Sequence, residues 1–237
     1  MKFLLTALVL GLATTSSFAW ERVTEPAVTN ISVTANGTIY GVGLDQAVYR
    51  TTAFGAWERV TEPAVTNISV TPNGDIYGIG LDQAVYRTTA FGAWERVTEP
   101  AVTNISVTPN GDIYGIGLDQ AIYKNRAYGT WERVTEPAVT NISVTPNGDI
   151  YGVGLDQAIY KNRAYGTWER VTEPAVTNIS VTPNGDIYGV GLDQAIYKNR
   201  SYGTWATATD PAVTNISVTP NGTIYGIGLD QAVYRSR

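Results

Sequence analysis

The residues best suited to ligand chemistry form a loop that occurs three times. It spans Lys124 to Trp131, with the sequence KNRAYGTW, and its copies span residues 161–168 and 198–205. Tyr and Trp rings offer flat apolar surfaces for the C–H face of a sugar, and Asn and Arg offer directional hydrogen bonds to its hydroxyls. We therefore predict that these loops bind glycans. The predicted glycan-binding residues are Asn125, Arg126, Tyr128, Trp131, Asn162, Arg163, Tyr165, Trp168, Asn199, Arg200, Tyr202 and Trp205.

The same residues have a purely structural alternative. Trp131 would then pack inside the fold, and Arg126 would be a solvated loop charge. Earlier in the chain the corresponding loop is TTAFGA, which carries Phe54 or Phe91 and lacks the Asn-Arg pair. If the loops bind glycans, the sites are therefore expected to be unequal and strongest in the copies that carry Asn125, Asn162 and Asn199.

Catalytic chemistry has few candidate residues. The chain has no His and no Cys, which excludes a Ser-His-Asp triad, His-based zinc ligation and a thiol nucleophile. Asp75 and Asp82 lie in one repeat, roughly 23 Å apart in an extended strand, whereas paired glycosidase carboxyls need about 5–9.5 Å. Glu62 is able to meet the Asp82 or Asp119 of a neighbouring repeat, which suits a cation site or a solvated surface better than a single active site, and we favour the solvated surface. We predict that the chain is not an enzyme and uses neither a metal nor a cofactor.

A repeat of 37 residues must position these loops. Six tryptophans mark the starts of the copies, at positions 20, 57, 94, 131, 168 and 205, and the last copy ends early at Arg237. Each copy contains four short runs rich in β-branched and aromatic residues, and no run has helical periodicity. In the first copy these runs are residues 30–34, 38–43, 47–50 and 57–60. Four short antiparallel strands per repeat predict the blade of a β-propeller, so we expect an all-β, six-bladed propeller.

The ends of the chain complement each other in this arrangement. The last repeat stops after its third strand, at Val233 to Arg235, and Trp20 to Val23 form a fourth strand without a blade. We predict that the N-terminal strand completes the sixth blade and closes the ring, which removes edges open to aggregation.

The first 19 residues have the features of a signal peptide. Lys2 is followed by an apolar run from Phe3 to Leu12 and by the small-x-small sequence Ser17-Phe-Ala19. We therefore divide the chain into a signal peptide, 1–19, and a single propeller domain, 20–237, and expect a secreted, extracellular monomer. With 16 basic and 21 acidic residues the chain is not suited to nucleic acid, and no other segment is apolar enough to span a membrane.

The repeat resembles the tectonin repeat of fish-egg lectins and of the tachylectins that bind bacterial lipopolysaccharide. The matching residues include Trp131, Val134, Ile142-Ser-Val144 and Tyr151-Gly-Val153. Two positions depart from that pattern, because Tyr occurs where the family often has Trp, as at Tyr151, and Glu62-Pro63 occurs where it often has Gly. The resemblance implies a multivalent carbohydrate-binding propeller with glycans or lipopolysaccharide as partners. The alternative is a structural or protein-interaction propeller, designed or recently amplified, without a retained ligand.

The sequence Asn30-Ile-Ser32 and its copies match the N-glycosylation sequon, as does Asn36-Gly-Thr38. A glycan on the innermost strand would crowd the mouth of the channel. We therefore interpret these residues as ordinary strand and turn residues.

Overall fold

The computed structural model describes residues 20–25, 27–52, 54–62, 64–99, 101–126, 129–135, 139–163, 166–171, 175–200, 204–209 and 212–236, without the side chains of Arg200 and Thr209. The predicted signal peptide lies outside these residues. All described elements are β-strands, which form six four-stranded sheets. The part of the chain that the structure describes contains no helix with the length and apolarity needed to cross a membrane.

Each sheet is one blade, and its strands follow the chain from the axis outward. The strands of blade 1 are β2 (Val28–Val33), β3 (Ile39–Gly43), β4 (Val48–Thr51) and β5 (Glu58–Arg59). Those of blade 2 are β6 (Val65–Val70), β7 (Ile76–Gly80), β8 (Val85–Thr88) and β9 (Glu95–Arg96). Those of blade 3 are β10 (Val102–Val107), β11 (Asp112–Gly117), β12 (Ile122–Arg126) and β13 (Glu132–Arg133).

The remaining blades have the same order. The strands of blade 4 are β14 (Val139–Val144), β15 (Asp149–Gly154), β16 (Ile159–Arg163) and β17 (Trp168–Arg170). Those of blade 5 are β18 (Val176–Val181), β19 (Asp186–Gly191), β20 (Ile196–Arg200) and β21 (Trp205–Thr209). Blade 6 combines β22 (Val213–Val218), β23 (Ile224–Gly228) and β24 (Val233–Ser236) with β1 (Trp20–Arg22) from the start of the propeller. The six-bladed architecture is thus confirmed.

Strand β1 closes the ring as predicted. It pairs antiparallel with β24, with Trp20 opposite Ser236 and Arg22 opposite Tyr234. The amide of Val23 donates to the carbonyl of Val233 at 2.9 Å, which extends the pairing by one residue. Val23 itself is buried in a core cluster between blades 6 and 1. The closure therefore combines backbone pairing with side-chain burial.

The core lies between adjacent blades, and the tryptophans help to fill it. Trp131 of blade 3 packs against a buried cluster that includes Tyr77 and Ile79 of blade 2 and Val102 of blade 3. A Cβ at Gly115 would lie 2.6 Å from Val102 Cγ1 and 3.0 Å from Trp131 Cη2. Only a residue without a side chain leaves room at this position for Val102 and the indole of Trp131.

We expect Gly115→Ala to destabilise the propeller by about 1–3 kcal/mol, because the added methyl group overpacks a buried interface. Urea unfolding measures this change. Because Val102 Cγ1 is the nearest atom, combining Gly115→Ala with Val102→Ala should cost clearly less than the sum of the two single changes. Strict additivity would show that the methyl group meets no obstacle there.

Two rings of hydrogen bonds join each blade to the next. In the first, a serine on each innermost strand accepts a backbone N–H of the following blade, always at 3.0 Å. The acceptors are Ser32, Ser69, Ser106, Ser143, Ser180 and Ser217, and the donors are Val70, Val107, Val144, Val181, Val218 and Val33. Asn30 Oδ1 similarly accepts the amide of Ile68. The sequon residues Asn30 and Ser32 therefore satisfy inner-edge amides that the sheet leaves unpaired.

The second ring uses the turn between the second and third strands. A glutamine there adopts a left-handed conformation, with φ between 65° and 67° in every repeat. Its carbonyl accepts the amide of a valine that starts the next blade; for example, Val65 donates to Gln46 and Val28 to Gln231. The left-handed residue costs about 1–2 kcal/mol for an L-amino acid, and the turn is retained because its carbonyl bridges two blades.

Candidate functional site

Pockets open between the blades on the face that carries the turns between first and second strands and the loops between third and fourth strands. We call this the A–B face, after the turns between the first (A) and second (B) strands of each blade. A pocket of about 480 Å³ lies between blades 1 and 2 and is lined by residues that include Tyr40, Arg50, Thr51, Thr52 and Glu58. Because it lies between two blades, its lining residues come from two different repeats.

The pocket recurs one blade further on, with a volume of about 240 Å³ between blades 2 and 3. Its lining residues correspond to those of the first pocket at the spacing of the repeat. The matched pairs include Asn36 and Asn73, Tyr40 and Tyr77, Arg50 and Arg87, and Gly74 and Gly111. The pocket therefore recurs at equivalent positions of two successive repeats.

A buried tyrosine and a cation form the centre of each pocket. Between blades 2 and 3, Tyr77 is buried and Arg87 forms an ion pair with Asp75 at 3.1 Å. Between blades 1 and 2, Arg50 pairs with Glu58 at 2.7 Å, and its guanidinium lies 5.1 Å from the ring centroid of Phe91. The hydrogen bond to Glu58 raises the pKa of Arg50, so the guanidinium remains charged.

In blades 3 to 5 a lysine replaces the arginine. Lys124 Nζ lies 2.6 Å from Asp112 Oδ2 and 5.1 Å from the ring centroid of Tyr114. Burial alone would lower the pKa of Lys124, but hydrogen bonds to Asp112 and Tyr114 outweigh it and raise that pKa. Lys161 and Lys198 repeat the arrangement in blades 4 and 5. These cations are charged at neutral pH and orient polar groups between the blades.

The asparagines of the predicted site are buried. Asn125, Asn162 and Asn199 have no exposed surface. Asn125 Nδ2 donates to the carbonyl of Gly129 at 2.6 Å, and Asn162 makes the same bond to Gly166 at 2.5 Å. These amides hold the loops from within, so direct contact with a ligand would require the loop to open. Asn125 corresponds to Thr51, which lines the pocket between blades 1 and 2.

Two of the three arginines of the predicted site have described side chains, and both are at the surface. Arg126 and Arg163 are exposed and end the third strands of blades 3 and 4. In the strand register Arg126 lies opposite Asp112, and Arg200 lies opposite Asp186. Arg126 corresponds to Thr52, another residue of the pocket between blades 1 and 2. The predicted residues Tyr128, Tyr165 and Tyr202 lie outside the described residues.

The predicted tryptophans begin the fourth strand or immediately precede it. Trp131, Trp168 and Trp205 are half-buried and pack between blades. Trp131 lines a separate cavity of about 410 Å³ with Leu118, Asp119 and Tyr123. Leu118 and Asp119 belong to the turn between second and third strands, so this cavity opens on the face opposite the pockets. In the strand register Trp168 lies opposite Asn162 and Trp205 opposite Asn199, so the structure places these two tryptophans beside the buried asparagines.

An ionised aspartate marks the opposite face. The hydroxyl of Tyr123 donates to Asp119 Oδ2 at 2.9 Å. That bond, followed by the amide of Ala121 and the charge of Arg133, lowers the pKa of Asp119 below its ordinary value. Glu62 pairs with Arg59 at 3.3 Å, in agreement with a solvated surface. Among the described residues no group of three or more acidic side chains is placed to hold a metal ion.

Sequence reasoning missed the residues that form the pockets. Tyr77 and Arg87 lie directly opposite each other on neighbouring strands, and Asp75 immediately precedes the strand that contains Tyr77. The available signal was the alternation of side chains along a strand, which separates Lys124 and Arg126 on one side from Asn125 on the other.

These features define a class, a six-bladed β-propeller with pockets repeated between its blades. The sequence model of the Tectonin domain matches residues 11–164, more than half of the 237-residue chain. The chain therefore belongs to the tectonin family, and the resemblance seen in the repeat is confirmed. A search of curated proteins finds no match.

Solved structures show a similar fold at low sequence identity. A gluconolactonase from Xanthomonas campestris is 10% identical, with a TM-score of 0.73, over 90% of this chain and 86% of that chain. A streptogramin B lyase is 14% identical, with a TM-score of 0.69, over 92% and 97% of the two chains. A calcium-binding regucalcin from Agrobacterium tumefaciens is 12% identical, with a TM-score of 0.73, over 93% and 94%.

These neighbours correct one prediction from the sequence. The absence of His and Cys led to the prediction that the chain is not an enzyme. A gluconolactonase and a streptogramin B lyase have a similar fold, so this fold also carries enzymes and gives no ground for excluding catalysis. At 10–14% identity the likeness establishes the fold alone.

Proposed function

We propose that this chain is a multivalent carbohydrate-binding protein that recognises cell-surface or microbial glycans, lipopolysaccharide included, through the pockets of the A–B face. One observation carries the proposal. The same pocket, with Asn, Tyr, Arg and Gly at matched positions, recurs between blades 1 and 2 and between blades 2 and 3. Amide, guanidinium and hydroxyl groups are the donors and acceptors that sugar hydroxyls require.

Repetition supports the proposal energetically. A single sugar site of about 1 mM affinity contributes only about −4 kcal/mol. Several such sites on one rigid ring gain about 10² to 10⁴ in avidity against a dense glycan surface, without any new contact. We include export by residues 1–19 in the proposal, because it would place the propeller where such surfaces occur.

The loop arginines supply a direct test. We expect the triple variant Arg126→Ala, Arg163→Ala, Arg200→Ala to lower avidity for glycan-coated surfaces at least tenfold, because it removes three hydrogen-bond donors at the positions equivalent to Thr52, which lines the pocket between blades 1 and 2. Binding to a glycan array and agglutination of cells measure this effect. The melting temperature should change little, since Arg126 and Arg163 are exposed.

The matched control is the triple variant Arg96→Ala, Arg133→Ala, Arg170→Ala. It removes the same charge from the fourth strands, whose arginines approach the aspartates of the opposite face at 3.7–4.0 Å. It should leave glycan binding unchanged. Equal losses in the two variants would show that net charge governs binding and would contradict the A–B face as the site.

A further inference from the structure

One substitution distinguishes the two pockets of the A–B face. The position two residues after the Asn of the turn is Thr38 in blade 1 and Asp75 in blade 2. Both residues line their pockets, which measure about 480 Å³ with Thr38 and 240 Å³ with Asp75. The pocket between blades 1 and 2 therefore has more space and lacks the carboxylate of the turn.

The partner of the pocket arginine changes with this substitution. Arg87 pairs with Asp75, whose side chain is only 18% exposed. Arg50 pairs instead with Glu58, whose side chain is 54% exposed. Surface pairs of the second kind contribute little to stability, because solvent screens them and the long side chains lose entropy. An incoming anion is therefore able to replace Glu58 at Arg50, whereas Asp75 is fixed beside Arg87.

Arg50 is also held in position by a neighbouring blade. Phe91 belongs to the loop between the third and fourth strands of blade 2, and the guanidinium of Arg50 lies 5.1 Å from its ring centroid. Stacking of this kind orients the planar guanidinium at a small cost in entropy. The oriented fork matches the two oxygens of a carboxylate.

We propose that the pocket between blades 1 and 2 selects sugars that carry a carboxylate, and that the residue at position 38 determines this selectivity. This inference rests on the proposed glycan-binding function. The sugar carboxylate binds Arg50 in place of Glu58, and its hydroxyls meet Asn36 and Asn73 on the two turns. In the pocket between blades 2 and 3, Asp75 repels the same carboxylate and occupies its partner. That pocket is left for neutral sugars.

The test is a glycan array in which each uronic or sialic acid glycan stands beside its carboxyl-reduced form. We expect the full chain to bind the acidic member of each pair more strongly. Blade 6 repeats the arrangement, with Thr223 in the turn and Arg235 paired with Glu21 and lying 5.5 Å from the ring centroid of Phe54, so the variant changes both threonines. Thr38→Asp combined with Thr223→Asp should weaken acidic binding at least tenfold and leave binding of the reduced forms unchanged. Because Asp75 occupies the equivalent position in blade 2, this variant recreates an arrangement that the fold already contains.

The reverse substitution is the matched control. Asp75→Thr should strengthen binding of the acidic glycans, since Arg87 would then be released from its fixed partner. Equal binding of acidic and reduced forms, or acidic binding that survives Thr38→Asp combined with Thr223→Asp, would overturn the selectivity and leave the glycan-binding function in place. If no glycan of either form binds, both the function and the selectivity fail.

Discussion

Deletion of Trp20–Val23 is expected to lower the melting temperature by about 10–20 °C. Loss of a packed tryptophan alone costs about 3–5 kcal/mol, and about 1 kcal/mol shifts the melting temperature of a domain of this size by roughly 2–4 °C. The deletion also removes the pairing of β1 with β24 and the Glu21–Arg235 ion pair at 3.0 Å. It leaves β24 as an open edge, so aggregation on heating is expected as well. Calorimetry and light scattering measure the two effects.

A pair of point variants separates closure from packing. Trp20→Ala and Trp131→Ala each remove an indole that packs between blades. Only Trp20 lies in the strand that closes the ring. We expect the larger loss for Trp20→Ala, with an increase in aggregation that Trp131→Ala does not share. If the two variants melt together, and if the deletion melts like the intact chain, β1 does not hold the ring closed.

Replacing the six ring serines with alanine is expected to abolish cooperative folding. Each Ser→Ala change leaves a buried or half-buried backbone N–H without its acceptor, at a cost of about 1–3 kcal/mol. Six such losses amount to about 6–18 kcal/mol, comparable with the whole stability of a typical domain. A single Ser106→Ala change should lower the free energy of unfolding by only about 1–3 kcal/mol. Urea unfolding of variants with one, two, three and six substitutions measures the progression.

The control uses the same strands. The threonines at positions 29, 66, 103, 140, 177 and 214 are exposed on the innermost strands, and each makes only a long bond, 3.3–3.4 Å, to a carbonyl of its own blade. Replacing all six with valine removes six hydroxyls and keeps the β-branched shape. We expect a small change in stability. A six-fold serine variant as stable as this control would show that the serine ring contributes nothing to assembly.

Much of the fold was predictable because its causes are local and repeated. Alternating apolar residues placed the innermost strand of blade 1 at 30–34, and the structure has Val28–Val33. The short last repeat and the surplus strand at Trp20 predicted the closure. Each conclusion needed only side-chain size, the period of two along a strand, and the requirement that edges be paired.

The two interblade rings were not predictable from the same signals. Ser32 looks like part of a sequon, and nothing in a single repeat shows that an amide 38 residues further along the chain lies within reach. The left-handed Gln46 was missed because Gly or Asn is the usual residue at such a position. Both features become explicable only when neighbouring blades are in place.

The candidate site was only partly predictable. The third-to-fourth-strand loops were predicted to bind the ligand, and Arg126, at the start of one such loop, is exposed. Asn125 was predicted to bind a ligand because of its chemical type. It lies on the buried side of the strand, and its amide donates a hydrogen bond to the carbonyl of Gly129 in the loop. The pockets combine residues from two repeats, so analysis of one repeat cannot reveal them.

The direction of the serine bonds has a consequence for assembly. The serine of each blade accepts a hydrogen bond from the blade that follows it, so the two sides of a blade are different and complementary. Such head-to-tail contacts do not require adjacent blades to belong to one polypeptide. They continue from blade to blade until the rotation between successive blades completes the ring. Linking the blades in one chain therefore keeps them close together but adds no new type of contact. Shorter chains with fewer copies of the same blade carry the surfaces needed to assemble the ring from separate molecules.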